Sequence, residues 1–185
     1  MTPNTVKALI VGAAVVGAWA LIASQPANGS LQGKKAPAFS AEATDGKTHT
    51  LKGHLEKGTT FLYFIKEGCP VNHQAAPHVQ KLAKAYGEKA NLVGVYNGSV
   101  AGAKRWAKTY SATFPIIEDP ALKTIRACGA VYSPWIIAVN KDGTVEKVYE
   151  GAAPKELEEI NKTMAAQAGV KKATLDFSGS PTGGG

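Results

Sequence analysis

The sequence predicts an α/β domain: a central mixed β-sheet flanked by helices and entered through a short strand extension. Three observations carry this. Between residues 59 and 127, apolar runs of strand length alternate with longer stretches of helical periodicity. Two of those runs, 59–65 and 91–96, are apolar almost without interruption, the pattern of strands covered on both faces. Past Pro134 the alternation gives way to a hairpin about Lys141-Asp142-Gly143, which adds an antiparallel pair.

Taken in order, the chain opens with residues 1–24, read as a signal peptide or membrane anchor. Ala8 to Ala23 carries no charge and follows Lys7 as a single basic flank, so an N-terminal apolar helix is expected. The run is somewhat short of the roughly 20 residues that cross a bilayer comfortably. Leu21, two before Ala23, spoils a small-residue cleavage site, which favours a retained anchor over a cleaved signal. Either reading places the rest of the chain in an exported, periplasmic or extracytoplasmic setting. Residues 25–35, rich in Pro, Gly, Asn and Ser, read as a linker, and 36–170 as the folded domain.

Within that domain, Phe39–Ala43 and Thr48–Leu51 flank the turn Asp45-Gly46-Lys47 as two short strands. Thr59–Ile65 is the central strand. A helix from Pro70 to Tyr86 follows, with Val79, Leu82 and Tyr86 inward, Gln80, Lys81 and Lys84 outward, and Pro77 set to kink it. Asn91–Tyr96 is a strand, Val100–Tyr110 a helix, Phe114–Ile117 a strand and Ala121–Ala127 a short helix. Trp135–Val139 and Thr144–Tyr149 form the hairpin, and Pro154–Ala168 is the last helix, with Pro154 and Glu156 where a first turn favours them. The tail, 171–185, ends in Gly, Ser and Pro and is expected to be disordered.

Composition narrows the function. The net charge of +7 is spread over scattered lysines, with no basic run interleaved with aromatics, so a nucleic-acid surface is discounted. Two cysteines are too few for a disulfide scaffold or a four-thiolate zinc site. No phosphate-binding glycine loop or Ser–His–Asp set is visible, and no cofactor or resident metal is expected. What stands out is Cys69, where the apolar run Phe61–Ile65 ends at Gly68-Cys69-Pro70 and a helix begins. A thiol there sits at a helix N-terminus, whose unpaired N–H groups favour the thiolate. Pro70 suits the first helical position, and His73 follows Cys69 by four residues on nearly the same helical face.

These residues together resemble the thioredoxin fold, and within it the redoxin branch: the alkyl hydroperoxide reductase and thiol-specific antioxidant family, with membrane-tethered thioredoxin-like reductases alongside. The matching pieces are Ala36-Pro37-Ala38-Phe39, Asp45-Gly46-Lys47, Phe64 through Cys69-Pro70, Ala76-Pro77, Phe114-Pro115 before Asp119, Gly129-Ala130-Val131 leading to Ser133-Pro134, and Asn140-Lys141-Asp142-Gly143. The resemblance implies a cis Pro134 facing Cys69, with Ser133 offering backbone N–H and C=O to an extended substrate. Two departures matter. Asn72 stands where a dithiol reductase has its second cysteine, and Leu62 and Lys66 stand where a peroxiredoxin has the Pro and Thr that align a peroxide.

The favoured reading is therefore a thiol oxidoreductase in which Cys69 attacks a peroxide or disulfide, an unidentified thiol acting as reductant. Lys66 would lower the Cys69 pKa, His73 would hold or shuttle a proton, and Cys128 is a candidate resolving thiol. Ser133, Pro134, Trp135 and Pro70 are the candidate substrate-binding residues. The alternatives are a copper carrier using Cys69 and His73, or a tethered non-catalytic module in which Trp135 closes the groove or offers a partner a stacking face.

Overall fold

The computed structural model describes residues 31–130 and 132–182. The expected anchor, 8–23, lies outside them, and no helix among the described residues is long and apolar enough to cross a membrane. Residues 33–35, expected as linker, belong to the folded unit: Gly33 N–H donates to the Val145 carbonyl at 2.8 Å and Lys35 bridges to Thr144.

Strands β1 (Ser40–Glu42) and β2 (Thr48–Thr50) pair antiparallel across the Asp45 turn. Leu51 does not extend β2, as its sequence suggested. It opens a helix, α1 (Leu51–Leu55), because the Thr50 hydroxyl accepts the Gly53 N–H at 3.0 Å and caps it. The main sheet follows: β3 (Thr60–Ile65), α2 (Pro70–Tyr86), β4 (Leu92–Tyr96), α3 (Val100–Tyr110), β5 (Ile116–Glu118), α4 (Lys123–Ala127), β6 (Trp135–Val139), β7 (Val145–Tyr149) and α5 (Pro154–Ala168). The strand order is β5-β4-β3-β6-β7, with β3, β4 and β5 parallel and β6 and β7 antiparallel to their neighbours. This is the mixed sheet the sequence predicts.

Strand β3 sits at its centre, and its alternation divides the core. Phe61, Tyr63 and Ile65 pack on one face with side chains of α2, α3 and α5. Leu62 and Phe64 pack on the other with Leu51 of α1, Ile125 of α4 and the N-terminal extension. The buried stripe of α2 runs Asn72, Ala75, Ala76, Val79, Leu82, Ala83 and Tyr86, at helical spacing. Gln80, expected outward, is also buried, where its amide bonds both the N–H and the hydroxyl of Thr113.

The C-terminal residues correct the expectation of disorder over residues 171–182. They hold no helix or strand, yet Phe177 is buried against the His78 ring. The Ala173 N–H donates to the Tyr86 hydroxyl at 3.1 Å, the Asn161 amide to the Ala173 carbonyl at 2.9 Å, and Lys81 Nζ to the Asp176 carbonyl at 2.6 Å. Glycine and serine in that stretch disguised two anchors, Leu175 and Phe177, that α2 and α5 needed as cover.

Candidate active site

The carboxyl end of β3 delivers the chain into the loop 66–69, and the loop is held in shape by three features. Gly68 adopts φ +72°, a left-handed conformation that a side chain would resist. The Glu67 N–H donates to Asn97 Oδ1 at 2.8 Å, while the Asn97 N–H returns to the Ile65 carbonyl at 3.1 Å. Cys69 itself then takes the N-cap position of α2 with extended backbone, and Pro70 fills the first turn. No side chain caps this helix, so the N–H groups at its start have no side-chain acceptor.

Opposite the helix start, the Ser133–Pro134 peptide is cis and directly precedes β6. Cys69 Sγ lies 3.9 Å from the Ser133 carbonyl oxygen. The structure thus brings Cys69, Pro70, Ser133 and Pro134 into one place, and Cys69 is 6% exposed. Lys66 is exposed at the rim, where with Ser133, Tyr132, Leu122 and Ile125 it lines a cavity of about 150 Å3. Tyr132 is 59% exposed there, an aromatic side chain facing solvent next to Ser133 in the chain. A second cavity of about 270 Å3 opens on the other flank, between Gly68 and α3. Its rim carries the Arg105–Glu67 ion pair at 3.6 Å, and burial, then the Glu67 carboxylate, pushes the Tyr96 hydroxyl up to about 12.

Other expected members of the site are arranged differently. The His73 ring is bonded through Nδ1 to the Tyr110 hydroxyl and tilts against Trp106, with centroids 4.8 Å apart. Its Nδ1 is thereby committed to α3, which does not favour the Cys69–His73 pair weighed as a copper site. Among the described residues no three His, Cys, Asp or Glu side chains gather to hold a metal. Trp135 is buried in the core of the Leu62–Phe64 face, so it offers no stacking surface. Cys128 caps the end of α4 at 1% exposure in that same face, and both cysteines are free thiols. Burial, then the Asp119 carboxylate, pushes the Cys128 thiol up to about 12.

Two residues central to the site were not singled out from the sequence as functional. Asn72, fully buried, accepts the Tyr63 hydroxyl on Oδ1 at 2.7 Å and donates from Nδ2 to the Ser133 hydroxyl. The signal was present: position 72 falls on the apolar stripe with Ala75, Ala76 and Val79, where a polar side chain must find buried partners. Tyr63, in a strand that reads as pure core, had no such signal.

Comparison with known proteins agrees with this geometry. Residues 32–148 match the AhpC/TSA family. The thiol-disulfide oxidoreductase ResA of Halalkalibacterium halodurans is 30% identical over 129 residues, covering 69% of this chain and 73% of that protein. Among solved structures, a putative protein disulfide isomerase from Bacteroides thetaiotaomicron superposes with a TM-score of 0.67 at 20% identity, covering 75% of this chain and 90% of its own. A putative thiol:disulfide interchange protein DsbE from Chlorobium tepidum gives 0.65 at 22% identity, covering 74% and 97%. At these identities the two structures establish the thioredoxin-like fold.

Proposed function

The chain belongs to the AhpC/TSA family, and on that premise we propose that it is a thiol–disulfide oxidoreductase that works through Cys69 as a single thiol. The observation that carries this reading is the placement of Cys69 Sγ at the uncapped start of α2, 3.9 Å from the Ser133 carbonyl. A substrate disulfide laid along the Ser133 backbone would present one sulfur to Sγ. The Cys69 thiolate attacks it, a new S–S bond forms, and the other substrate sulfur leaves as thiolate with the electron pair of the broken bond. With Asn72 in place of a second cysteine, the mixed disulfide is cleared by a thiolate from solution, which takes the substrate sulfur and returns Cys69 reduced.

Disulfide is preferred to peroxide for a structural reason. Lys66 and Leu62 replace the hydroxyl and proline that would align a peroxide, and Leu62 is committed to the core. Lys66, at the rim, supplies positive charge to an incoming anionic thiol, and His73, fixed to Tyr110, shapes the α3 flank of the groove. Ser133 and Pro134 are proposed to hold the substrate backbone, with Tyr132 as the exposed side chain that meets it. The apolar residues 8–23 support a location outside the cytoplasm, tethered to the membrane, where protein disulfides are the available substrate.

The test is exchange with an extended peptide carrying one mixed disulfide, in the presence of dithiothreitol. Cys69→Ser should lose about a thousandfold or more in rate, because the oxygen nucleophile cannot form the covalent intermediate. Retention of the wild-type rate in that variant would overturn the reading.

A further inference from the structure

The residue in the second-thiol position is fully buried and satisfied on both sides of its carboxamide, and the sense of each bond is fixed. The Tyr63 hydroxyl is itself buried, and burial raises its pKa, so it keeps its proton and donates. Asn72 Oδ1 is therefore the acceptor at 2.7 Å, which leaves Nδ2 to face the Ser133 hydroxyl. That hydroxyl accepts from Asn72 and donates onward to the Phe64 carbonyl at 3.4 Å. One directional chain, Tyr63 to Asn72 to Ser133 to Phe64, thus joins β3, α2 and the loop before β6. Asparagine suits both ends: aspartate would accept from Tyr63 but offer Ser133 no donor, and leucine would strand the Tyr63 hydroxyl and leave Ser133 held by Phe64 alone.

The third member of that chain, Ser133, is the residue whose carbonyl lies 3.9 Å from Cys69 Sγ. We propose that Asn72 is a positioning residue for the exchange reaction: acting through the Ser133 hydroxyl, it holds the Ser133 backbone in register with Cys69 Sγ for an extended disulfide substrate. This rests on the single-thiol reading above and deepens it. The position that would carry a resolving thiol is given to alignment of the substrate strand, and release is left to an external thiol.

A double-mutant cycle tests this with the full chain, using the peptide mixed disulfide and dithiothreitol as above. Asn72→Ala and Ser133→Ala should each raise KM for the peptide about tenfold, with kcat changed less than about threefold, since the loss falls on alignment rather than on the sulfur. The combined variant should show the same tenfold rise, because both substitutions cut one chain. A rise of about a hundredfold in the double variant, or an unchanged KM in the single ones, overturns the proposal. Should Asn72→Ala melt below the assay temperature, Asn72→Leu in a Tyr63→Phe background replaces it, since removing both partners leaves no stranded hydroxyl on Tyr63 and still cuts the bond to Ser133. The two levels fail separately: a Cys69→Ser variant that still turns over sinks the function, whereas a dead Cys69→Ser with an additive cycle sinks only the role of Asn72.

Discussion

At the carboxyl end of β3, Asn72 ties strand, helix and loop together beside a thiol. At the opposite end of the same sheet, Asn91 does similar work with no cysteine among its hydrogen-bond partners. Its Nδ2 lies 2.9 Å from the His54 carbonyl, 3.3 and 3.2 Å from those of Gly58 and Thr59, and 2.9 Å from the Thr60 hydroxyl. Its Oδ1 faces His54 Nδ1 at 2.9 Å, and its backbone sits in the left-handed region at φ 40°, which asparagine tolerates better than most residues. Beyond His54 the chain continues through His49, 2.8 Å away, to the Asp45 carboxylate at 3.0 Å. Both networks satisfy buried polar atoms. They differ in what they hold: the first runs through Ser133, whose carbonyl lies beside Cys69 Sγ, while the second runs through two histidines to the Asp45 carboxylate. Parallel strands direct ligands to their carboxyl ends, and here the same sheet assigns chemistry to one end and fastening to the other.

The sharpest way to break this contrast is to damage each end and measure both properties. Cys69→Ser should abolish exchange as described and leave the melting temperature close to wild type. Asn91→Gly keeps the left-handed backbone accessible but strips the carboxamide from His54 and the Thr60 hydroxyl. Leaving those groups without their partner should cost about 3 kcal/mol in chemical denaturation, while the exchange rate of the folded protein stays within about twofold of wild type. If Asn91→Gly instead lost activity while remaining stable, the two ends would not be separable.

A smaller effect should come from pH. Burial first, opposed by the bond to Asn91, holds the His54 ring below the ordinary histidine range. At Asp45, burial pulls the carboxyl up, but the bonds from His49 and the Lys47 N–H outweigh it, and the carboxyl stays ionised into acid. His54 therefore donates from Nδ1 to Asn91 Oδ1 and presents Nε2 to His49 as an acceptor. The sign follows from the depressed His54 value. The unfolded ring binds a proton more readily than the folded one, so this contribution is complete above the ordinary histidine pKa and is lost as pH falls below it. Protonated His54 would also set an N–H against His49, beside the Lys57 charge. Thermal melting between about pH 8 and about pH 5 should show a decline that His54→Gln flattens. A decline of equal steepness in that variant would assign it to other groups.

Much of this was readable in the chain, and the misses have physical causes. The strand–turn–helix junction at Cys69, the bounds of α2, α3, β6 and α5, and the placement of Pro134 follow from periodicity, a proline at N1 and the matching motif pieces. Helix α1 was missed because five residues are too few to show a period, and the Thr50 cap was its only signature. The tail was missed because two apolar anchors among glycines carry no periodicity at all. At the site, spacing placed His73 near Cys69 on one helical face, but spacing says nothing about the aromatic wall of Trp106 and Tyr110 that draws the ring away. Asn72 was visible only as an absent cysteine, since the partner that gives it meaning, Ser133, is 61 residues distant.

The least disruptive prediction concerns Cys128, where sequence and structure part most usefully. Nearness to Pro134 along the chain suggested a resolving thiol. The structure instead buries it among Leu62, Phe64 and Ile137, on the sheet face away from α2. Attack on a mixed disulfide requires thiolate, and a thiol held near 12 by burial and by Asp119 supplies almost none at neutral pH. Cys128→Ala should therefore change peptide exchange less than about twofold and cost about 1 kcal/mol for one sulfur's worth of lost packing. In the native wild-type protein, iodoacetamide should label Cys69 and spare Cys128 until denaturant is added. A Cys69–Cys128 disulfide recovered after mild oxidation would reverse the conclusion. It would mean that α4 leaves the sheet during turnover, and that the second thiol denied to position 72 is supplied from the opposite face.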